Sequence, residues 1–190
     1  FQALNFLGES KLRFSWGQSG KAISDPYATY AYYETSDRYM ENPVIVPAQI
    51  QLANLKWQTI TSWDLGIDIN LFSQRVYIQA DVYNRLTKDL LWDNYTIPGS
   101  SGYEELEYFN GGELQNIGWE YYMRGTAIDG ENLQLSLNFN ISQNINSFVS
   151  FPDNFKREIG TSIENGTYPQ KAEEGKPIGS FYGFRYLGVY

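Results

Sequence analysis

Apolar and polar side chains alternate residue by residue over most of this chain, and a period of two is the signature of strands with one apolar and one polar face. From Lys11 to Gln18, Leu12, Phe14 and Trp16 alternate with Lys11, Arg13 and Ser15. From Trp63 to Leu71, Leu65, Ile67 and Ile69 alternate with Asp64, Gly66, Asp68 and Asn70. Val76, Ile78, Ala80 and Val82 alternate with Tyr77, Gln79 and Asp81, and Ile117, Trp119, Tyr121 and Met123 with Asn116, Gly118, Glu120, Tyr122 and Arg124. The cleanest run sets Leu133, Leu135, Leu137, Phe139 and Ile141 against Gln134, Ser136, Asn138, Asn140 and Ser142. Five strands are predicted, and Ser180 to Tyr190 is expected to begin a sixth.

The connections alternate in length. Phe72 to Arg75 and Asp129-Gly130-Glu131-Asn132 are tight, and Asp-Gly is a strong hairpin signal. Between them lie long stretches rich in Tyr, Gly, Pro and Asn, roughly Ser19 to Gln58, Thr87 to Glu113 and Ser147 to Gly179, which hold every Pro in the chain. Short turns at one end and long loops at the other describe an outer-membrane barrel. The apolar faces are also long enough for a tilted transmembrane strand of about 9 to 11 residues. Trp16, Trp63 and Trp119 fall on the long-loop side of those faces, where an aromatic girdle belongs.

Matching outward residues with outward residues predicts the hairpin registers. Ile69 should pair with Ile78 and Ile67 with Ala80 across the first turn. Across the second, Gly125 should pair with Leu135, Met123 with Leu137 and Tyr121 with Phe139, with Gly130 in a left-handed or bulge conformation.

Composition narrows the functional classes. No apolar run reaches the roughly 18 to 20 residues of a spanning helix, and a mean hydropathy of -0.44 suits strands that average lipid-facing and lumen-facing residues. The absence of Cys and His removes thiol nucleophiles, Ser/His triads and most zinc sites. A net charge of -8 with unclustered basic residues argues against nucleic acid. Adjacent acids such as Glu104-Glu105 and Glu173-Glu174 point to opposite sides of an extended loop and make no glycosidase dyad. No catalytic residue, metal site or cofactor is predicted. The sequence begins at Phe1 without an initiator Met or signal peptide and stops at Tyr190 within an expected strand, so it is expected to be an internal segment of a longer protein.

Several motifs carry a family resemblance. Lys11-Leu12-Arg13-Phe14-Ser15-Trp16-Gly17-Gln18-Ser19-Gly20, Leu55-Lys56-Trp57-Gln58-Thr59 through Leu65-Gly66-Ile67-Asp68, Asp81-Val82-Tyr83-Asn84-Arg85-Leu86-Thr87-Lys88-Asp89-Leu90-Leu91 and Glu174-Gly175-Lys176-Pro177-Ile178-Gly179-Ser180-Phe181-Tyr182-Gly183 follow one another in order. Together they resemble the C-terminal barrel half of SusC/RagA-type TonB-dependent transporters. The resemblance implies an all-β fold, an antiparallel transmembrane β-barrel segment of about six strands out of 22, in the bacterial outer membrane. It implies nutrient import of oligosaccharides or peptides, a SusD-like surface lipoprotein as lid, outer-membrane lipid around the wall, and the rest of the barrel with a plug inside. TonB would act through a region outside this stretch. The exposed-ring candidates for substrate or lid contact are Tyr27, Tyr30, Tyr32 and Tyr33, with Tyr39 in the same cluster, and Trp92, Tyr95, Tyr103 and Tyr108. The alternative is a soluble or surface-attached glycan-binding β-domain, in which Leu65, Ile67, Ile69, Leu133, Leu135 and Leu137 would be buried between sheets rather than exposed.

Overall fold

A computed structural model describes residues 7–103, 105–153, 158–159, 170–181, 183 and 185–188, with 36–39, 95–96 and 158–159 as backbone alone. Strands run in chain order as β1 (Leu7–Lys21), β2 (Tyr32–Tyr39), β3 (Asn42–Gln49), β4 (Gln58–Leu71), β5 (Val76–Lys88), β6 (Leu91–Thr96), β7 (Glu105–Asn110), β8 (Glu113–Asp129), β9 (Gln134–Ser150), β10 (Glu158–Ile159) and β11 (Gln170–Lys171). Five of them form one antiparallel sheet in the order β1-β4-β5-β8-β9, and each long connection carries a two-stranded ribbon of its own, β2-β3, β6-β7 or β10-β11. The result is an up-and-down wall with short turns at one end and ribbon-bearing loops at the other.

These strands are 13 to 17 residues long, beyond the expected limits, because ladder pairing continues after the apolar alternation stops. Ser19, Thr87 and Ser147, predicted as loop, therefore lie inside β1, β5 and β9. Pro43 and Pro47 sit in β3, whose single partner β2 leaves a free edge where a missing N–H costs nothing.

The first hairpin has the predicted register: Ile69 pairs with Ile78 and Ile67 with Ala80. Its turn bends through Phe72, Ser73 and Gln74, all at left-handed φ (52°, 56° and 70°), with Arg75 N–H donating to the Phe72 carbonyl at 3.2 Å. The second hairpin departs from expectation by two residues. Gly125 pairs with Leu137, Met123 with Phe139 and Tyr121 with Ile141. The ladder runs on to Asp129 opposite Gln134, and the odd residue is absorbed by a bulge between Thr126 and Ile128. Gly130 is not left-handed; its N–H closes the turn onto the Leu133 carbonyl at 3.0 Å. A shift of two preserves both faces, so the parity rule held while the turn position did not.

The expected sixth strand is not formed by the described residues of 180–188. Phe181 makes one isolated antiparallel bridge to Gln170, while residues 182, 184, 189 and 190 lie outside the described residues. At the loop end, the free edge of β9 is already taken: Phe148 donates to the Lys176 carbonyl (3.1 Å) and accepts from Gly175 N–H (2.8 Å).

Rows of outward residues cross the wall with little interruption. Leu12, Ile67, Ala80, Tyr121 and Ile141 form one; Phe14, Leu65, Val82 and Trp119 form the next; Trp16, Trp63, Ile117 and Ile145 lie nearest the loops. From Trp63 to Leu71 the apolar band covers on the order of 20 Å after allowing for strand tilt, comparable to the about 25 Å band of membrane barrels. Among the described residues nothing packs on it: Phe14 is 69% and Leu137 62% exposed, and Leu65, Ile67, Leu133 and Leu135 are exposed with them, Ile69 being half-buried. Among the described residues the buried hydrophobics are Ala28, Phe148 and Ala172, all outside this band. A sandwich core is therefore absent from these faces. The architecture is a stretch of transmembrane β-barrel wall.

The inside-out arrangement predicts opposite responses at adjacent positions. In the complete barrel, Ile141→Lys should destabilise folding in lipid vesicles by about 2–4 kcal/mol, as expected of a cation near the midplane. Ser142→Lys, on the polar face, should stay within about 0.5 kcal/mol of the parent. Denaturant unfolding in vesicles reads both, and equal costs would contradict the assignment of faces.

Candidate functional site

The loop end builds a platform from the bottom up. At Asp25 a side-chain oxygen accepts from Tyr27 N–H (2.8 Å), starting a turn that Tyr30 N–H closes onto the Tyr27 carbonyl (2.9 Å). Buried Gln49 at the end of β3 donates to the Ala28 (2.8 Å) and Tyr30 (3.1 Å) carbonyls, which pins that turn to the ribbon. The turn and ribbon present Tyr27, Tyr30, Tyr32 and Tyr33, all exposed, with the rings of Tyr27 and Tyr30 6.4 Å apart and tilted by 53°.

Asn110 joins this loop to the next. Its carboxamide accepts from Lys56 N–H (2.7 Å) and donates to the Lys56 (2.9 Å) and Asp89 (3.1 Å) carbonyls. Gln58 Oε1 accepts from Leu91 N–H at 3.3 Å alongside it. Between the loops a cleft of about 280 Å³ is lined by Gln51 to Leu55 and Tyr108 to Asn110. Partial desolvation of the otherwise exposed Tyr32 side chain raises its phenol above the ordinary pKa, with Glu107, Glu34 and Asp25 adding to the shift. Tyr108 is raised by burial and then by Glu107, Asp93 and Asp25. The two phenols, from different loops, thus share the field of Glu107 and Asp25.

The second and third loops meet over a small apolar cluster. Phe148 and Ala172 are buried there with Leu90, Trp92, Phe109, Leu114 and Phe151 packed around them. Trp92 Nε1–H donates to the Gly111 carbonyl at 2.7 Å, so its indole is engaged within the protein. Tyr103 is half-buried just beyond the short helical turn Gly99–Ser101. The side chains of Tyr95 and Tyr39 lie outside the described residues. Of the predicted candidates, then, Tyr27 and Tyr30 are brought into ring contact, and Tyr32 and Tyr108 into one electrostatic neighbourhood. Tyr33 stands exposed on the ribbon.

Below the platform the polar face carries a saturated cluster. Arg13 reaches from β1 across β4, its Nε 2.9 Å from Asp68 Oδ2 and its Nη2 2.7 Å from Asp81 Oδ1 on β5. Tyr77 donates to Asp68 (3.2 Å) and Gln79 to Asp81 (2.9 Å), while Arg124 stacks over the Tyr77 ring at 6.0 Å. Gly66 makes this possible. A Cβ there would collide with Asp81 and the Arg13 guanidinium. Alternation alone placed Arg13, Asp68 and Asp81 on one face, but the bare glycine between them was not read as a crossing point. Asn110 and Gln49 were missed altogether, since Asn-Gly-Gly reads as a turn and a strand-end Gln carries no sequence signal.

Against known proteins, the family model described as TonB dependent receptor-like, beta-barrel, matches residues 3–181. TonB-dependent receptor P3 of Formosa agariphila is 35% identical over 201 residues, covering 98% of this chain and 20% of that protein. TonB-dependent receptor SusC of Bacteroides thetaiotaomicron is 28% identical over 196 residues, covering 96% and 19%. The RagAB peptide transporter structure superposes with a TM-score of 0.75 at 22% identity, covering 98% of this chain and 20% of that one. The open-open state of the RagAB peptide importer gives 0.71. This chain spans about a fifth of the length of these relatives.

Two predictions follow from the platform. Removing the bridge with Asn110→Ala in the complete protein should leave the barrel inserted but speed amide exchange at Lys56 by about tenfold, since roughly 1.4 kcal/mol of local hydrogen bonding is lost. Unchanged exchange would show that the loops are held by other contacts. Replacing Glu107 by Gln should lower the pKa of both Tyr32 and Tyr108 toward the ordinary phenol value, as followed by ultraviolet titration against Tyr→Phe controls. A response from one phenol alone would contradict their common neighbourhood.

Proposed function

Because this chain belongs to the TonB-dependent receptor-like β-barrel family, we propose that it is part of the wall and outer vestibule of a SusC-like nutrient importer in the bacterial outer membrane. The observation that carries the reading is the pairing of a bare apolar face with a polar face that carries the hydrogen-bonded Arg13, Asp68 and Asp81 cluster. Lipid would cover the first, and a lumen with its plug would face the second. The work is capture and passage rather than bond-making, so no catalytic residue or cofactor is assigned to this stretch. Energy would enter through TonB acting on a part of the transporter outside it.

The three loops would form part of the vestibule beneath a SusD-like surface lipoprotein. Exposed Tyr27, Tyr30, Tyr32 and Tyr33 offer large rings on a backbone held by Gln49 and by the Pro-containing β2-β3 ribbon, so little backbone entropy is lost when a partner settles on them. Tyr103, Tyr108 and Tyr95 belong to the neighbouring loop and are assigned to the same contact surface. Trp92 supports it from beneath. Lid docking is the principal role proposed for these residues, with substrate contact shared among them. The transported material is an oligosaccharide or a peptide.

The experiment is replacement of Tyr30, Tyr32 and Tyr33 by Ala in the complete transporter. Lid association should weaken by tenfold or more, given roughly 1.5 kcal/mol or more for loss of such anchors. TonB-dependent uptake should fall with it while the barrel remains heat-stable and inserted. Unchanged association together with unchanged uptake would remove these rings from any functional role.

A further inference from the structure

The outward face of the wall is broken by amides. Immediately loopward of Trp16, Trp63, Val82, Ile117 and Ile141, the next outward positions are Gln18 on β1, Thr61 on β4, Asn84 on β5, Gln115 on β8 and Gln143 on β9. All are uncharged and all but Thr61 are carboxamides. They are bonded across strands: Gln18 Nε2 donates to Thr61 Oγ1 (3.5 Å), Gln115 Nε2 to Asn84 Oδ1 (3.1 Å) and Trp119 Nε1 to Gln143 Oε1 (3.2 Å). Leu86 and Ile145 follow Asn84 and Gln143 on the same face, so these two amides interrupt the apolar surface rather than end it. From the turn at Val76, Asn84 stands on the order of 20 Å up the membrane after strand tilt, near the outer limit of an about 25 Å band.

At that depth hydrocarbon gives way to the linkages that join acyl chains to headgroups, and a polar atom facing it needs a partner. The internal bonds leave the Asn84 and Gln143 NH2 groups and the Gln115 carbonyl oxygen with no further side-chain bond among the described residues. The site therefore asks for both acceptors and a donor. Acyl ester carbonyls of a phospholipid accept only, and its anionic headgroup is drawn by Lys and Arg. The charged outward side chains at this end are Lys88 and Glu113, and they pair with each other at 3.5 Å. An acyl chain joined through an amide and bearing a hydroxyl brings carbonyl, N–H and O–H together, and so satisfies all three groups. Asn84 on β5 and Gln143 on β9 are two strand spacings apart, about 10 Å, with Ile117 and Ile145 between them as an apolar seat. Adjacent chains of a lipid with more than two acyl groups can engage both amides at once.

We propose that Asn84, Gln115 and Gln143, with Trp119 holding the last, form an outward binding site for the acyl neck of an outer-leaflet glycolipid whose chains are amide-linked and hydroxylated. This rests on the outer-membrane placement given above and is independent of what the importer carries. The glycolipid's chains run down over Ile117, Tyr121 and Ile141, and its sugars lie beside the loops.

The test uses the complete transporter, delipidated in detergent and checked for insertion on return to vesicles. Lipid A with amide-linked hydroxyacyl chains, an analogue with ester-linked unhydroxylated chains, and a diacyl phosphatidylglycerol are each added, and retained lipid is counted by native mass spectrometry. The parent should retain lipid A and lose the other two on washing. Combined Asn84→Leu, Gln115→Leu and Gln143→Leu suits a lipid-facing surface, so the barrel should still insert. That variant should retain lipid A about tenfold more weakly, as for loss of two neutral hydrogen bonds, with nutrient uptake unchanged. Equal retention of phosphatidylglycerol or of the ester analogue overturns the lipid class. Lipid A held equally by the variant overturns the site. Loss of self-association in the variant, with lipid retention unchanged, assigns the amides to a contact between copies and overturns the proposal. A parent that stays soluble without detergent and does not insert overturns the outer-membrane reading itself.

Discussion

Hydrocarbon offers no hydrogen-bond partners, and that single constraint organises this chain. Each backbone N–H and C=O inside the apolar band must be matched by a neighbouring strand, because an unmatched group there costs several kcal/mol. The ladder through β1, β4, β5, β8 and β9 meets the requirement with shifts only near strand ends. Once neighbours are locked in register, side chains follow by parity. Leu12, Ile67, Ala80, Tyr121 and Ile141 must point one way, and Lys11, Asp68, Gln79, Tyr122 and Asn140 the other. The edges of β1 and β9 show the same rule from outside, since a wall of this kind is complete only when both are paired.

The same register produces two kinds of polar surface. Where a glycine removes a side chain from the inward row, a long neighbour can lie down across it. At Gly66 that neighbour is Arg13, which closes a charge cluster across three strands. At Gly118 it is Tyr83, beside a recess lined by Asp64 and Glu120, which make no ion pair among the described residues. One device gives a closed charge cluster at Gly66 and an open polar recess near Gly118.

Loops over such a wall face a different problem, because they have little apolar surface to bury. Here the solution is piecemeal: a ribbon in each connection, the Phe148 and Ala172 cluster beneath the second and third, and the Asn110 carboxamide between the first and second. The exposed tyrosines are therefore held from below rather than packed into a core, leaving their faces open at the loop end of the wall.

Much of this was legible in the residue order. Alternation settled the strand class and the two faces, connection lengths settled which end carries the loops, and parity settled the Ile69–Ile78 hairpin. The Tyr27 and Tyr30 pair was visible as a cluster, although nothing in the sequence distinguished it from Trp92, which turned inward. Sequence determined these features because period, turn chemistry and apolar count are local properties, readable within a strand's length. Tertiary structure alone decided the turn position and the one-residue bulge at Ala127 that together set the second hairpin two residues from expectation, the pairing of Phe148 with Gly175 and Lys176 where a sixth strand was expected, and the bridges made by Arg13, Gln49 and Asn110. Each depends on which backbone groups and side chains from distant positions arrive within about 3 Å of one another. That proximity is fixed only when the strands are assembled.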